Sequence, residues 1–166
     1  MLIPCQGKKP LLSKDVFIAE GARIIGDVEM GEKSSVWFNV VIRGDVAPIR
    51  IGEETNIQDN AVIHGTWNKA EVKIGKKVTI GHSAILHGCT VGDQCLIGMG
   101  SIIMDGAVIG ENSIVAAGSL VTEGSKFPSG MLILGRPAKA LRSLTPEELA
   151  FLPKSASNYI TYTSWY

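Results

Sequence analysis

The 166-residue sequence predicts an all-β solenoid, a stack of short parallel strands closed by a C-terminal α-helix. Three observations carry the prediction. An aliphatic residue recurs every six positions between Leu12 and Val121. The residue four places later is small or β-branched in nearly every repeat. Glycine is abundant and gathers at the corners, where positive φ is often required. A period of six fits neither a helix, at about 3.6, nor an alternating strand, at about 2. It fits a unit of one short strand plus one corner, and a fixed repeat of that kind marks a stacked coil.

The repeats follow in order. The aliphatic position, i, stands at Leu12, Ile18, Ile24, Met30, Val36 and Ile42, slips by three residues, and resumes at Ile51, Ile57 and Ile63. It slips by five, resumes at Ile74, Ile80 and Leu86, then loses one residue and runs through Val91, Ile97, Ile103, Ile109, Val115 and Val121. The small set at i+4 runs from Val16 and Ala22 through Val46, Thr90 and Cys95 to Ser119. A single coil cannot bury its own inner face, so stability must come from neighbouring coils. With three repeats per triangular turn, as in known coils of this type, eighteen repeats make six coils. Residues 12–127 form the coil region and 127–137 a last partial turn, giving a β-helix domain over 1–137. Insertions in such a stack map to loops, often on the working face.

Residues 138–166 read as a helical segment packing on the coils. Thr145 caps a helix, Pro146 suits its first turn, and Glu148 closes a capping box. Pro153 is expected to end or kink it. A second helical stretch follows from Lys154, carrying Tyr159 and Trp165, with Thr and Ser lowering its propensity.

Composition narrows the function classes. Formal net charge is zero, which implies no broad attraction to nucleic acid or an anionic membrane. No apolar run approaches the roughly 18 residues of a membrane span. MLIPCQGKKP lacks the pattern of a secretory signal. Cys5, Cys89 and Cys95 are odd in number and form no CxxC pair, so free thiols in a reducing cytoplasm are expected, with Cys95 in the core.

The three histidines are more informative. His64 and His87 both stand at i+1. They are 23 residues apart, and removing the five-residue slip leaves 18, one full turn. They should therefore stack on adjacent coils, about 4.8 Å apart at the backbone. Arg43 falls one turn below His64, and Met104 one turn above His87. His82 stands at i+2 on the neighbouring face, one turn above Asp59 and beside the column of Gln58. The chain from His82 to His87 spans up to about 16 Å, whereas zinc holds histidine nitrogens at about 2.0–2.1 Å. One rigid coil does not bring both rings to a single ion. A shared metal then requires His82 from a neighbouring subunit, and three-fold packing of triangular prisms supplies it. A lone histidine is more often an ordinary surface residue. Three within 24 residues, two in vertical register beside Arg43, Asp45, Gln58 and Asp59, point instead to metal binding.

Three motifs occur in order: RGD at 43–45, NIQDNAVIH at 56–64 and IGHSAILHGC at 80–89. In these motifs the chain resembles the γ-class carbonic anhydrases and their ferripyochelin-binding-protein-like relatives. The resemblance implies a left-handed parallel β-helix with a C-terminal helix, assembled as a homotrimer with metal sites at its interfaces. Handedness comes from the resemblance alone, since parallel crossovers are usually right-handed. The implied metal ligands are His64, His82 and His87. The implied active-site residues are Arg43, Asp45, Asn56, Gln58, Asp59 and, from the C-terminal helix, Tyr159. The implied cofactor is Zn²⁺, with Fe²⁺ or Co²⁺ as alternatives that three imidazoles also suit. The implied reaction is reversible hydration of CO₂ to bicarbonate by a metal hydroxide. Gln58 would orient the reactants. Arg43 with Asp45 reads first as an intersubunit salt bridge and second as a means of placing bicarbonate. Asp59 would hold a neighbour's Arg43 or support a ligand.

Two departures bear on rate. Val46 stands where the family's archetype has a glutamate directly after RGD. The loop TWNKAEVK after His64 is short, with Glu71 its only acid, where the archetype carries a proton-shuttle glutamate. A preserved metal site with slow or undetectable hydration is therefore expected. The alternatives are an acyl- or acetyltransferase using a histidine base on acyl-CoA, a thioesterase at the same metal, and a non-catalytic scaffold subunit.

Overall fold

The computed structural model describes residues 1–166. Its strands stack in parallel over about seven turns, each paired with its counterpart one coil away. Pairing is in register: Thr79 lies between Asn56 and Leu96, Ile85 between Val62 and Ile102, Val91 between Ile74 and Ile109. Position i therefore forms continuous inward columns, of which Ile24, Ile42, Ile63, Leu86 and Ile103 make one, all fully buried. The i+4 residues line the corners from inside, where little room remains. Ser34, Thr55, Ser101 and Ser119 donate their hydroxyls there to the carbonyls of Gly52, Gly75 and Ala116. A buried hydroxyl left unpaired would cost about 1–3 kcal/mol, and no buried side-chain polar atom lacks a partner.

The corners turn through left-handed residues at i+3, and glycine supplies only some of them. Lys33 (φ 55°), Asn60 (φ 61°) and Gln94 (φ 53°) take the same conformation as Gly106 and Gly118. A non-glycine residue pays about 1–2 kcal/mol for it. Hydrogen bonds between coils hold the turn regardless, as Asn60 N–H donates to Phe38 O and Gln94 N–H to Lys76 O.

Four features differ from the sequence expectation. Thr90 and Val46 are only partly buried, while Cys89 and Ala47 turn inward. The residue lost after Leu86 moves Cys89 into the corner, and Val46 lies in the uninterrupted strand Val41–Ile51, which crosses a corner without a hexapeptide turn. At the N-terminus, Leu2–Ile3 adds a strand against Ile24 and Ile25. After Pro137 the chain first returns as a strand, Ala138–Ser143, antiparallel to Met131–Gly135. The helix then runs unbroken from Pro146 to Tyr162, with the expected capping box at Thr145 and Glu148. Pro153 neither ends it nor divides it in two. An interior proline costs about 3 kcal/mol. Burial of Leu152 offsets about 1.5–3 kcal/mol of that, and Ala156 is buried beside it. Trp165 falls in a short 3₁₀ turn, Thr163–Trp165.

The three outer faces differ in character. One is covered by the helix, whose Ser155 reaches Thr79 (Oγ–Oγ1 3.1 Å). A second carries Glu29, Arg50, Lys73 and Lys126 on its outward row. The third carries Val41, Val62, Ile85, Ile102 and Leu120 in one apolar row, with Val62 and Ile85 37% and 38% exposed and nothing in the chain covering them.

The inward register predicts that Ile97→Ala costs 2–5 kcal/mol, about what buried aliphatic truncations lose. Leu141→Ala, at an exposed site, should change stability by no more than about 0.5 kcal/mol. Chemical denaturation measures both, and equal costs would contradict the register.

Candidate metal centre

The site corner is where the period breaks. The slips of three and five residues and the lost residue follow Arg43, His64 and His87 respectively. These three share one column: Arg43 pairs in register with His64, and His64 with His87. At a second corner the same i+1 position is glycine, at Gly31, Gly52, Gly75, Gly92 and Gly110, where the next coil's backbone leaves no room, while the helix-side corner carries Trp37, Gln58, Gly98 and Ala116 there. A Cβ on Gly52, Gly75, Gly92 or Gly98 would meet backbone or side-chain atoms at 2.3–2.6 Å. The irregular lengths set loops beside the column of Arg43, His64 and His87.

Within it, His64 Nε2 lies 3.1 Å from Asp45 Oδ1 and His87 Nδ1 lies 2.5 Å from Asp105 Oδ1. Each aspartate fixes a tautomer by accepting that ring's N–H. The other two nitrogens, His64 Nδ1 and His87 Nε2, lie 3.2 Å apart. Two ligands at 2.0–2.1 Å from one tetrahedral ion stand about 3.3 Å apart, so the pair fits an ion such as Zn²⁺. Arg43 Nη1 donates to Asp45 Oδ2 at 2.5 Å, and its Nη2 stands 3.4 Å from His64 Nδ1. Arg43 and Asp45 thus pair within the single chain. Burial lowers the His64 pKa, which favours the neutral ring a metal needs. Burial alone would raise the Asp45 carboxyl, but hydrogen bonds from Arg43 and His64 hold it below the usual carboxylate range. Asp105 behaves likewise, through Thr66 and His87.

His82 sits at the opposite edge of the apolar face. Its Nδ1 is 2.7 Å from Asp59 Oδ2, as the register of the two coils requires. Tyr159 lines the same pocket, of about 210 Å³, with Trp37 and Phe38. Its ring packs edge-on against Trp37 at 5.4 Å, and burial followed by the charge of Asp59 raises its pKa. Asn56 and Gln58 are buried beside this edge: Gln58 Nε2 donates to Asn56 Oδ1 at 3.2 Å, and Asn56 Nδ2 to Thr79 Oγ1 at 3.0 Å. The predicted residues thus form two half-sites. Arg43, Asp45, His64 and His87 make one, while Asn56, Gln58, Asp59, His82 and Tyr159 make the other. No three His, Cys, Asp or Glu side chains of the single chain come together as a metal-binding group.

Sequence reasoning missed Asp105 and Thr66. The available signal was register: Leu86 pairs with Ile103, so Asp105 stands one coil beyond Gly88.

Comparison with known proteins places the chain among relatives of the same fold. Residues 88–123 match the bacterial transferase hexapeptide (six repeats) family, and residues 71–104 the hexapeptide repeat of succinyl-transferase. A carbonic anhydrase of Geobacillus kaustophilus is 46% identical over 100% of this chain and 91% of its own. The chain belongs to the γ-class carbonic anhydrase family. Gamma carbonic anhydrase 2, mitochondrial, of Arabidopsis thaliana is 48% identical over 92% of this chain, which spans only 57% of that relative's length. Among solved structures, a hexapeptide transferase family protein of Anaplasma phagocytophilum superposes with TM-score 0.96 at 52% identity, covering 100% of this chain and 98% of that one. A putative acetyltransferase of Bacillus cereus superposes with TM-score 0.97 at 44% identity, covering 100% and 96%.

Behind the site, burial pushes the Cys89 thiol up to about 12, and Cys95 likewise. At pH 8 an alkylating reagent should modify Cys5 alone in the native protein and all three cysteines after unfolding. Mass spectrometry reads the difference, and native labelling of Cys89 would contradict the described burial.

Proposed function

We propose that this protein is a metal-dependent carbonic anhydrase that interconverts CO₂ and bicarbonate slowly, as a homotrimer in the cytoplasm. The observation that carries the reading is the pair of bare imidazole nitrogens 3.2 Å apart, each ring held by its own aspartate. His64, His87 and a neighbour's His82 would hold the ion, Zn²⁺ by preference or Fe²⁺ or Co²⁺. When bound, such an ion supplies Lewis-acid activation of water near neutral pH.

The trimer is supported by the placement of the half-sites. The apolar row of Val41, Val62, Ile85, Ile102 and Leu120 has one half-site at each edge. Burying that row between subunits brings the His64–His87 edge of one chain to the His82 edge of the next. His82 is prepared for the meeting, because Asp59 occupies its Nδ1 and leaves Nε2 bare. No helix is long and apolar enough to cross a membrane, and all three cysteines are free, which suits a reducing compartment.

The chain's other residues bind and orient. Gln58 commits its amide N–H to Asn56 and keeps its carbonyl oxygen for hydrogen bonding toward the substrate. Arg43 brings a cation beside the His64–His87 pair, where it attracts bicarbonate. Tyr159 stays a neutral phenol at physiological pH, able to donate. Proton export is the weak step. Glu71, the only acid of the loop after His64, pairs with Lys73 Nζ at 2.6 Å. Asp45, Asp59 and Asp105 each engage a histidine. No free carboxylate remains beside the site to carry the proton away, and this supports a slow turnover. A transferase reading requires a histidine general base free of metal, so metal content separates the two.

Purified protein should carry about one metal ion per chain, and hydration of CO₂ should be slow, abolished by chelation and restored by metal. His82→Ala should lose the ion while the folded chain persists by circular dichroism. A protein that takes up no metal, or a His82→Ala variant that keeps its full complement, would contradict the shared site. Rapid hydration would contradict only the proton-export argument.

A further inference from the structure

Asp105 lies outside the motifs that define the family resemblance, yet both of its carboxylate oxygens are engaged at the metal centre. Its Oδ1 is 2.5 Å from His87 Nδ1, and its Oδ2 accepts the Thr66 hydroxyl at 2.5 Å. It reaches His87 from the next coil by passing over Gly88. A Cβ on Gly88 would stand 2.6 Å from Asp105 Oδ1, so only glycine leaves the carboxylate this path. Thr66 belongs to the loop that follows His64. One aspartate thereby links the loop after one histidine to the ring of the other. The His87 side chain is 37% exposed. Without Asp105, its ring would be free to turn about its side-chain torsions and to carry its proton on either nitrogen.

We propose that Asp105 is a positioning residue: by accepting the His87 Nδ1 proton it fixes the tautomer that leaves Nε2 bare and aims that nitrogen at the site shared with His64. The assignment rests on the metal-site reading above. It places the residue's effect on ligand geometry, not on contact with substrate.

Two measurements on the full-length protein test it, with Asp105→Ala and Asp105→Asn set against Glu111→Ala, an exposed carboxylate with no histidine partner. In a Zn²⁺ competition against a chromophoric chelator, Asp105→Ala should bind 10–100-fold more weakly, the usual loss when such a partner is removed. Asp105→Asn should fall between, and Glu111→Ala should match the parent. In metal-free protein labelled with ¹⁵N-histidine, NMR should show His87 of the parent as the Nδ1–H tautomer and that of Asp105→Ala as a mixture. Affinity within twofold of the parent overturns the role, and so does weakened affinity with an unchanged tautomer, which marks a merely structural effect. Parent protein that binds no Zn²⁺ overturns the metal-site reading and this assignment with it.

Discussion

In-register stacking of parallel coils is the constraint from which the rest follows. Each coil lays its aliphatic residue directly on the one below, as Ile42, Ile63 and Leu86 do. The backbone bonds between coils admit no slip without turning the inward column outward. Whatever stands at a given offset from the inward residue is therefore repeated vertically at a spacing of about 4.8 Å. That spacing lets imidazoles on successive coils converge, and it lets an aspartate one coil away reach a ring nitrogen.

The same constraint sorts the corners by what their columns carry. One is too tight for a side chain at i+1, and glycine fills that position at Gly31, Gly52, Gly75, Gly92 and Gly110. Irregular lengths follow Arg43, His64 and His87 at another, where the strand Val41–Ile51 crosses without a hexapeptide turn. Each histidine is then oriented by an aspartate: Asp45 for His64, Asp59 for His82, Asp105 for His87. The bare nitrogens of two of them meet within the chain, and the third lies across the apolar face.

Much of this was legible in residue spacing. The period of six placed His64 over Arg43 and His87 over His64, and set His82 above Asp59. It did so because stacking converts sequence offset directly into height. Features that depend on the packing of unlike elements were not legible. Spacing does not show that Asn56 is buried, with its amide bonded to Thr79, which in turn meets Ser155 of the C-terminal helix. Pro153 reads as a helix end, because the rule is local while Leu152 and Ala156 anchor the helix on both sides of it. Arg43 and Asp45 read first as a bridge between chains, and within the chain their side chains already meet, since spacing gives neighbours but not partners. Asp105 was hidden by a single lost residue, which shifts it from above His87 to above Gly88.

Anomalous diffraction from crystals of the assembled protein, recorded at the absorption edge of the bound metal, tests the central claim most directly. One peak per chain is predicted, enclosed by His64 and His87 of one subunit and His82 of the next. A peak held by one subunit alone, or histidines of adjacent subunits turned away from one another, would contradict the account.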